Sequence, residues 1–315
     1  MSTALSTHEI DRDAMKGMAL MVAATFVMPT LDAVAKILGE TFSPGQIALM
    51  RFGIQTLVLA IVFLVLGRPI FGAAVRKALP KLALAGMFMA VATLTFFWSL
   101  QHLPLANAIV LIFVAPLFLT LYGKLFLGET VGPHRIGAVA VGFVGALIVI
   151  RPNFLMFGFA AVLPLIAAAG FAALMATVRS IRFAVDGFST QLVSGGFAMM
   201  FLSAAILIDM PFGVAPLGVM VPPVEVLPLI ALLGALGIIG QAMLTFASRL
   251  AEASLIAPFQ YLEIVAATFL GYVIFSEFPD RLTWVGAAII LSAGLYTLHR
   301  ERVRRRARRA GVARA

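Results

Sequence analysis

Two stretches of this 315-residue chain, "LPKLALAG" at residues 79–86 and "LPLIALLG" at 227–234, agree at five of eight positions across an offset of 148. The same offset carries Gly123 to Gly271 and Glu129 to Glu277, and with one inserted residue Gly137 and Gly145 map to Gly286 and Gly294. The chain therefore reads as one unit written twice.

Composition says what kind of unit it is. Hydrophobic residues make up 62% of the chain and charged residues 12%, with a mean hydropathy of +1.06, against roughly 45–50% and about 25% in soluble domains. This composition belongs to an integral membrane protein. A search for apolar runs of about 20 residues, the length that crosses a bilayer as a helix, gives ten spans: 16–38, 44–67, 80–101, 104–127, 132–151, 158–181, 188–209, 225–248, 253–275 and 281–299. Their breaks hold "SPG" at 43–45, "GRP" at 67–69, "LPL" at 103–105, "RPN" at 151–153 and "VPP" at 221–223, the residues that punctuate helices. The offset lays spans 3 to 5 on spans 8 to 10 and, by continuation, spans 1 and 2 on spans 6 and 7. Each copy then has five spans, and an odd number forces the second copy to enter the membrane the other way up. The expected fold is an all-α integral membrane bundle of ten transmembrane helices in two inverted repeats, residues 16–151 and 158–299. A polar tail, 1–15, precedes them and a basic tail, 300–315, follows.

Lysine and arginine give the direction, because they stay on the cytoplasmic side of short loops. With the N-terminus inside, 19 of the 23 fall on the cytoplasmic side and only Lys36, Arg151 and Arg281 outside, with Arg51 inside a span. Both termini are expected in the cytoplasm. Residues 1–15, with Glu9, Asp11 and Asp13, read as a tail retained before the first helix. Cysteine is absent, which excludes disulfides, thiolate metal sites and a cysteine nucleophile. The terminal "RERVRRRARRAGVAR" raises the net charge to +9. Directly after a span, and with no aromatic residue for base stacking, it points to anionic lipid headgroups and not to nucleic acid.

Three segments resemble the drug/metabolite transporter superfamily, EamA type: "LFLGETVGPHRIGAVAVGFVGALIVIRP" closing the first half, "YLEIVAATFLGYVIFSEFPDRLTWVGAAIILSAGLY" in the second, and "DAVAKIL" followed by Arg51-Phe52 near the start. The resemblance covers roughly residues 16 to 299. It implies ten helices in paired EamA repeats, cytoplasmic termini, placement in the cell's inner (plasma) membrane, and a central cavity for an amino acid, nucleobase, vitamin or drug-like solute. It leaves a homodimer open. In span 9 the chain has Leu262, Glu263, Ile264 where the family more often has "LEP", so a proline is missing.

The polar groups inside the spans are the candidate substrate-binding or coupling residues. Glu263 lies ten residues into span 9, about 15 Å deep at 1.5 Å per residue, where exposing a charge to lipid costs roughly 2.5–3.5 kcal/mol on insertion scales. Gln260, Glu263, Ala267 and Gly271 share one helix face, flanked by Phe259 and Tyr261. The face reads either as a cavity lining or as a protonated glutamate packed between helices. Asp32 and Arg51 have matching depths near the outer side and either pair directly or divide, Asp32 bridging Lys36 at i,i+4 while Arg51 snorkels. Gln55 lies one turn from Arg51. Trp98 suits an aromatic belt or a stacking contact, and Asn107 and Gln241 suit the cavity or interhelical packing. Glu129 and Glu277 read as loop or capping residues, and "GALGIIG" at 234–240 as close helix packing.

The leading reading is a carrier without cofactor or metal, its partners a small-molecule solute and the lipid around it. The alternative is an intramembrane enzyme acting on a lipid or lipid-linked substrate. HExxH and P-loop motifs are absent from the sequence, and His8, His102, His134 and His299 all fall at span ends or in tails.

Overall fold

The computed structural model describes residues 7–126, 133–210, 213, 215–251 and 253–312. Among these, every regular element is a helix, as hydrocarbon demands of a chain with no closed sheet, because a helix satisfies its backbone hydrogen bonds within itself. The α-helices are α1 (Thr7–Leu38), α2 (Pro44–Val65), α3 (Ala73–Leu100), α4 (Leu105–Ile112), α5 (Ala115–Phe126), α6 (Pro133–Phe157), α7 (Leu163–Arg179), α8 (Gly187–Asp209), α9 (Leu227–Leu250), α10 (Ala253–Gln260), α11 (Leu262–Phe275) and α12 (Arg281–Val312).

Eight helical stretches among the described residues are long and apolar enough to cross a membrane: 13–38, 44–65, 73–100, 105–123, 154–179, 187–209, 224–250 and 258–275. A shorter apolar stretch covers 136–152. Helix α12 runs unbroken from Arg281 through the basic segment to Val312, so the basic tail expected from residue 300 continues the last helix as far as the described residues reach.

Two of the expected spans are interrupted. The run 104–127 divides into α4 and α5 at Phe113 and Val114, and the run 253–275 divides into α10 and α11 at Tyr261. Phe113 and Tyr261 are 148 residues apart, the offset of the repeat. At both breaks the backbone tightens to i→i−3 bonds, from Phe113 N–H to Val110 (3.2 Å) and from Tyr261 N–H to Pro258 (3.4 Å). Pro258 inside α10 removes one donor from the ladder and loosens it there.

Helix α1 packs along α9, and α3 packs along both α7 and α8; α2 lies against α8 and α9, and α6 against α12. Helix α1 also touches α10 and α11, while α7 touches α4 and α5. The glycines closing the two quoted octets make matching contacts. A β-carbon at Gly86 on α3 would stand 2.6 Å from the Ser194 carbonyl oxygen and 2.5 Å from Phe197 Cβ on α8. One at Gly234 on α9 would meet Ile54 Cγ2 of α2 at 2.3 Å. Gly145 and Gly286 let α6 and α12 approach in the same way, a β-carbon at Gly286 falling 2.6 Å from the Gly145 carbonyl oxygen. Without a hydrophobic driving force in lipid, close backbone approach of this kind is what holds helices together.

Loop chemistry sets the helix starts. Asp186 caps α8, accepting from the backbone N–H groups of Phe188 (3.0 Å) and Ser189 (3.1 Å) and from the Ser189 hydroxyl (2.5 Å). Burial pulls its carboxyl upward. The hydrogen bonds from Ser189 and Phe188 and the Arg249 charge outweigh that and hold it below its ordinary value.

Two outcomes are expected. Gly86→Ala meets backbone on α8, which cannot swing aside, and should cost roughly 1–3 kcal/mol, read as a lower melting temperature in detergent. Asp186→Ala should cost about 1 kcal/mol at neutral pH, as loss of a cap does. Because the folded carboxyl is held low, its stabilisation is present above the unfolded value and disappears as pH falls through the folded one. The gap between variant and wild type should therefore close in acid and stay constant above about pH 5.

Candidate functional site

Beside the break at Tyr261, polar side chains from three helices gather. Asp32 comes from α1, Arg51 and Gln55 from α2, and Glu263 from the first turn of α11, with Gly237 of α9 beside Arg51 and Gln55. Asp32 and Gln55 are buried, at 6% and 3% exposure; Arg51 and Glu263 are half-buried. Asp32 is in electrostatic range of both Arg51 and Glu263. No ion pair or hydrogen bond joins the three among the described residues.

The guanidinium of Arg51 lies against two rings, 5.5 Å from the centroid of Phe52 and 5.7 Å from that of Phe97. Among the described residues, its Nε is buried without a hydrogen-bond partner, and so is Gln55 Oε1. Both border one small volume: they stand 3.6 and 3.7 Å from the point where a β-carbon on Gly237 would sit. Of the three glycines in "GALGIIG", Gly234 meets α2 and Gly240 meets Met28 and Val27 of α1, while a β-carbon at Gly237 would sit in ordinary contact with Leu31, Arg51 and Gln55. Tyr261, at the break, places its ring 5.3 Å from that of Phe113, so the two interruptions touch.

The remaining expected residues divide. Gln260 is exposed at the end of α10; the break at Tyr261 interrupts the continuous helical face on which it was grouped with Glu263. Ala267 and Gly271 are buried, and Gly271 lies against Leu105 of α4. Asn107 is buried in α4, Trp98 is half-buried in α3, and Gln241 is half-buried in α9, where its carbonyl accepts from the Thr245 hydroxyl at 2.8 Å.

Lys36 does not bridge to Asp32. Its Nζ donates to both carboxylate oxygens of Glu277, at 2.6 and 2.8 Å, and to the Leu103 carbonyl at 2.8 Å. Glu277 also accepts from the Leu105 N–H, the first residue of α4, at 3.1 Å. One carboxylate thus caps a helix of the first half and holds a lysine of α1 from the second. Local backbone aims it there: α11 ends with Ser276 left-handed at φ 56°, the Ser276 N–H bonding the Tyr272 carbonyl at 3.0 Å and the Glu277 N–H turning back to the Gly271 carbonyl at 2.9 Å, a left-handed helix cap. Nearby, Gln101 donates to the carbonyls of Gly39 (2.9 Å) and Phe42 (3.0 Å). Gln46 exchanges two hydrogen bonds with the backbone of Met220, at 2.6 and 3.0 Å.

A helical membrane bundle with interrupted helices meeting beside buried charges is the architecture of a solute carrier. Residues 15–151 match the EamA-like transporter family. It is 27% identical over 278 residues to the pseudopaline exporter CntI of Pseudomonas aeruginosa (strain UCBPP-PA14), covering 88% of this chain and 94% of that one. It is 33% identical over 208 residues to a riboflavin transporter of Rhizobium johnstonii, covering 66% of each. It is 27% identical over 303 residues to an S-adenosylmethionine uptake transporter of Rickettsia bellii, covering 96% of this chain and 98% of the relative. A solved crystal structure at 20% identity, covering 89% of this chain and 96% of its own, has the same fold with a TM-score of 0.55.

The Lys36 to Glu277 pair has a measurable signature. A double-mutant cycle on Lys36→Met and Glu277→Gln should give a coupling energy of about 0.5–3 kcal/mol in detergent unfolding, because the pair is only 13% and 29% exposed. Additive single effects would show that the contact contributes nothing.

Proposed function

We propose that the protein carries a small organic metabolite across the cell's inner membrane by alternating access around the group formed by Asp32, Arg51, Gln55 and Glu263. The carrying observation is the meeting of two helices interrupted 148 residues apart, Phe113 on Tyr261, beside buried charges. Non-helical backbone at membrane depth is tolerated where it is buried in protein or lines a cavity, and discontinuous helices are where carriers bind their solutes.

The reading includes ten spans in two inverted five-helix repeats and cytoplasmic termini. Its support is the exchange of equivalent contacts: α3 on α8 through Gly86 answers α9 on α2 through Gly234, as an axis in the membrane plane requires. That the relatives are named for moving pseudopaline, riboflavin and S-adenosylmethionine supports a small organic cargo and favours a carrier over an intramembrane enzyme. The basic end of α12 lies against anionic headgroups of the cytoplasmic leaflet.

Proteoliposomes holding the pure protein, offered a metabolite extract and read by mass spectrometry, test this directly. A solute accumulated unchanged is the expected result; a solute chemically converted would instead indicate an enzyme. Glu263→Gln keeps shape and removes the titration, and should lower transport at least tenfold. If the variant still binds but its transport no longer responds to pH, the acid carries a coupling proton; if binding goes, it contacts the cargo. Unchanged binding, transport and pH response would make Glu263 a packing residue.

A further inference from the structure

We infer that the connection between α8 and α9, residues 210–226, is a strap seated in the outer leaflet of the membrane, its apolar side chains in lipid and its backbone fastened to the first turn of α2. The inference rests on the carrier reading only for the side: with cytoplasmic termini, this connection and the start of α2 both fall outside.

A segment joining two spans normally meets water and is polar. This one is apolar: Glu225 is its one charge, and the sequence has no lysine or arginine between Arg182 and Arg249. Val219, Val221 and Val224 project from it at 58, 89 and 75% exposure. Ile208 at the end of α8 and Leu227 at the start of α9 are exposed as well, so the strap continues the apolar surface of two helix ends whose neighbour is lipid. An exposed apolar patch marks an interaction surface, and that continuity makes lipid its occupant.

Hydrocarbon accepts such side chains but not bare backbone, and the sequence deals with the backbone in two ways. Gln46 of α2 donates to the Met220 carbonyl at 2.6 Å and accepts from the Met220 N–H at 3.0 Å, while the Ser43 hydroxyl donates to the Gly218 carbonyl at 2.6 Å. Pro222 and Pro223 have no N–H to satisfy, and the Pro223 carbonyl accepts from the Val226 N–H at 3.1 Å. In water, solvent would satisfy the same groups. Depth agrees. Helix α2 has 22 residues, about 33 Å at 1.5 Å per residue, against a hydrocarbon core of about 30 Å, so its first turn lies at the edge of that core. The strap presses on this turn: a β-carbon on Gly45 would stand 2.8 Å from the Pro216 carbonyl oxygen and 2.9 Å from Leu217 Cδ2. Lipid therefore holds the strap, and the strap holds the start of the helix that carries Arg51 and Gln55.

The chain has no cysteine, so single cysteines report on this directly. Full-length Val221→Cys and Val224→Cys are labelled with nitrobenzoxadiazole, reconstituted in vesicles of phosphatidylcholine and phosphatidylglycerol, and compared with Glu40→Cys, an exposed site in the turn between α1 and α2. Both valine sites are expected to emit to the blue of the Glu40 site and to be quenched at least twofold by lipids brominated in the acyl chain near the headgroup, while iodide quenches only the Glu40 label. Gln46→Leu leaves Met220 unpaired and should at least halve the lipid quenching at residue 221.

Valine labels quenched by iodide and not by brominated lipid put the strap in water and overturn the inference. Labels shielded from both, with self-quenching that rises with protein density, put a second copy on the strap and overturn it too. Lipid quenching unchanged by Gln46→Leu would overturn the fastening to α2. A membrane-impermeant thiol reagent added to intact cells should modify Glu40→Cys; modification only after lysis would overturn the outer placement together with the topology of the carrier reading. A lipid-seated strap on a protein that moves no solute in proteoliposomes keeps the strap and removes the carrier.

Discussion

Hydrocarbon offers no hydrogen bonds, so every backbone group at membrane depth must be satisfied by the protein itself. The rest of the structure depends on that constraint. It makes every regular described element a helix, and it makes each interruption costly unless protein surrounds it. The chain has such interruptions at Phe113 to Val114 and at Tyr261, and brings their rings within 5.3 Å of each other. The breaks shelter one another, and the polar groups gather beside them.

Neither half of the chain could assemble that site alone. Asp32, Arg51 and Gln55 come from the first half, Gly237 and Glu263 from the second. What brings them together is close approach of α9 to α1 and α2, possible because Gly234 and Gly240 present no side chain to Ile54 and Met28. Gly237, between those two, lies beside Arg51 Nε and Gln55 Oε1, which stand 3.6 and 3.7 Å from where its β-carbon would sit. One stripe of three glycines therefore brings α9 against both α1 and α2 at the polar group.

Much of this was legible in the sequence and part was not, for reasons that particular residues make plain. The octets at 79–86 and 227–234 register the two halves because apolar length and glycine spacing are local properties. The interruption of 253–275 was hidden, since its apolar content is continuous and the "LEP" proline is missing; Pro258 and the equivalence of Tyr261 with Phe113 were the available signals. Gln260 was grouped with Glu263 by a helical spacing that the break removes. The pairing of Lys36 with Glu277 spans 241 residues. The i,i+4 spacing offered Asp32 as one possible partner of the lysine, and the left-handed turn at Ser276 brings the distant carboxylate into reach.

That pairing also bears on how a carrier of this design would move. Lys36, Glu277, Leu103 and Leu105 meet at the end of the bundle where Gln101 ties the turn at Gly39 to Phe42 and Gln46 ties α2 to Met220. Elements of both halves are fastened there, so the described conformation is held together at that end. Opening it would separate a half-buried ion pair and strip α4 of its cap in one movement, because Glu277 serves both. Such coupled contacts break together or not at all, which gives the end two discrete states instead of a graded flexing. A solute bound at the group around Arg51 and Glu263 would act on the same two halves from within, and by differential binding to the two states would set how often the fastening yields.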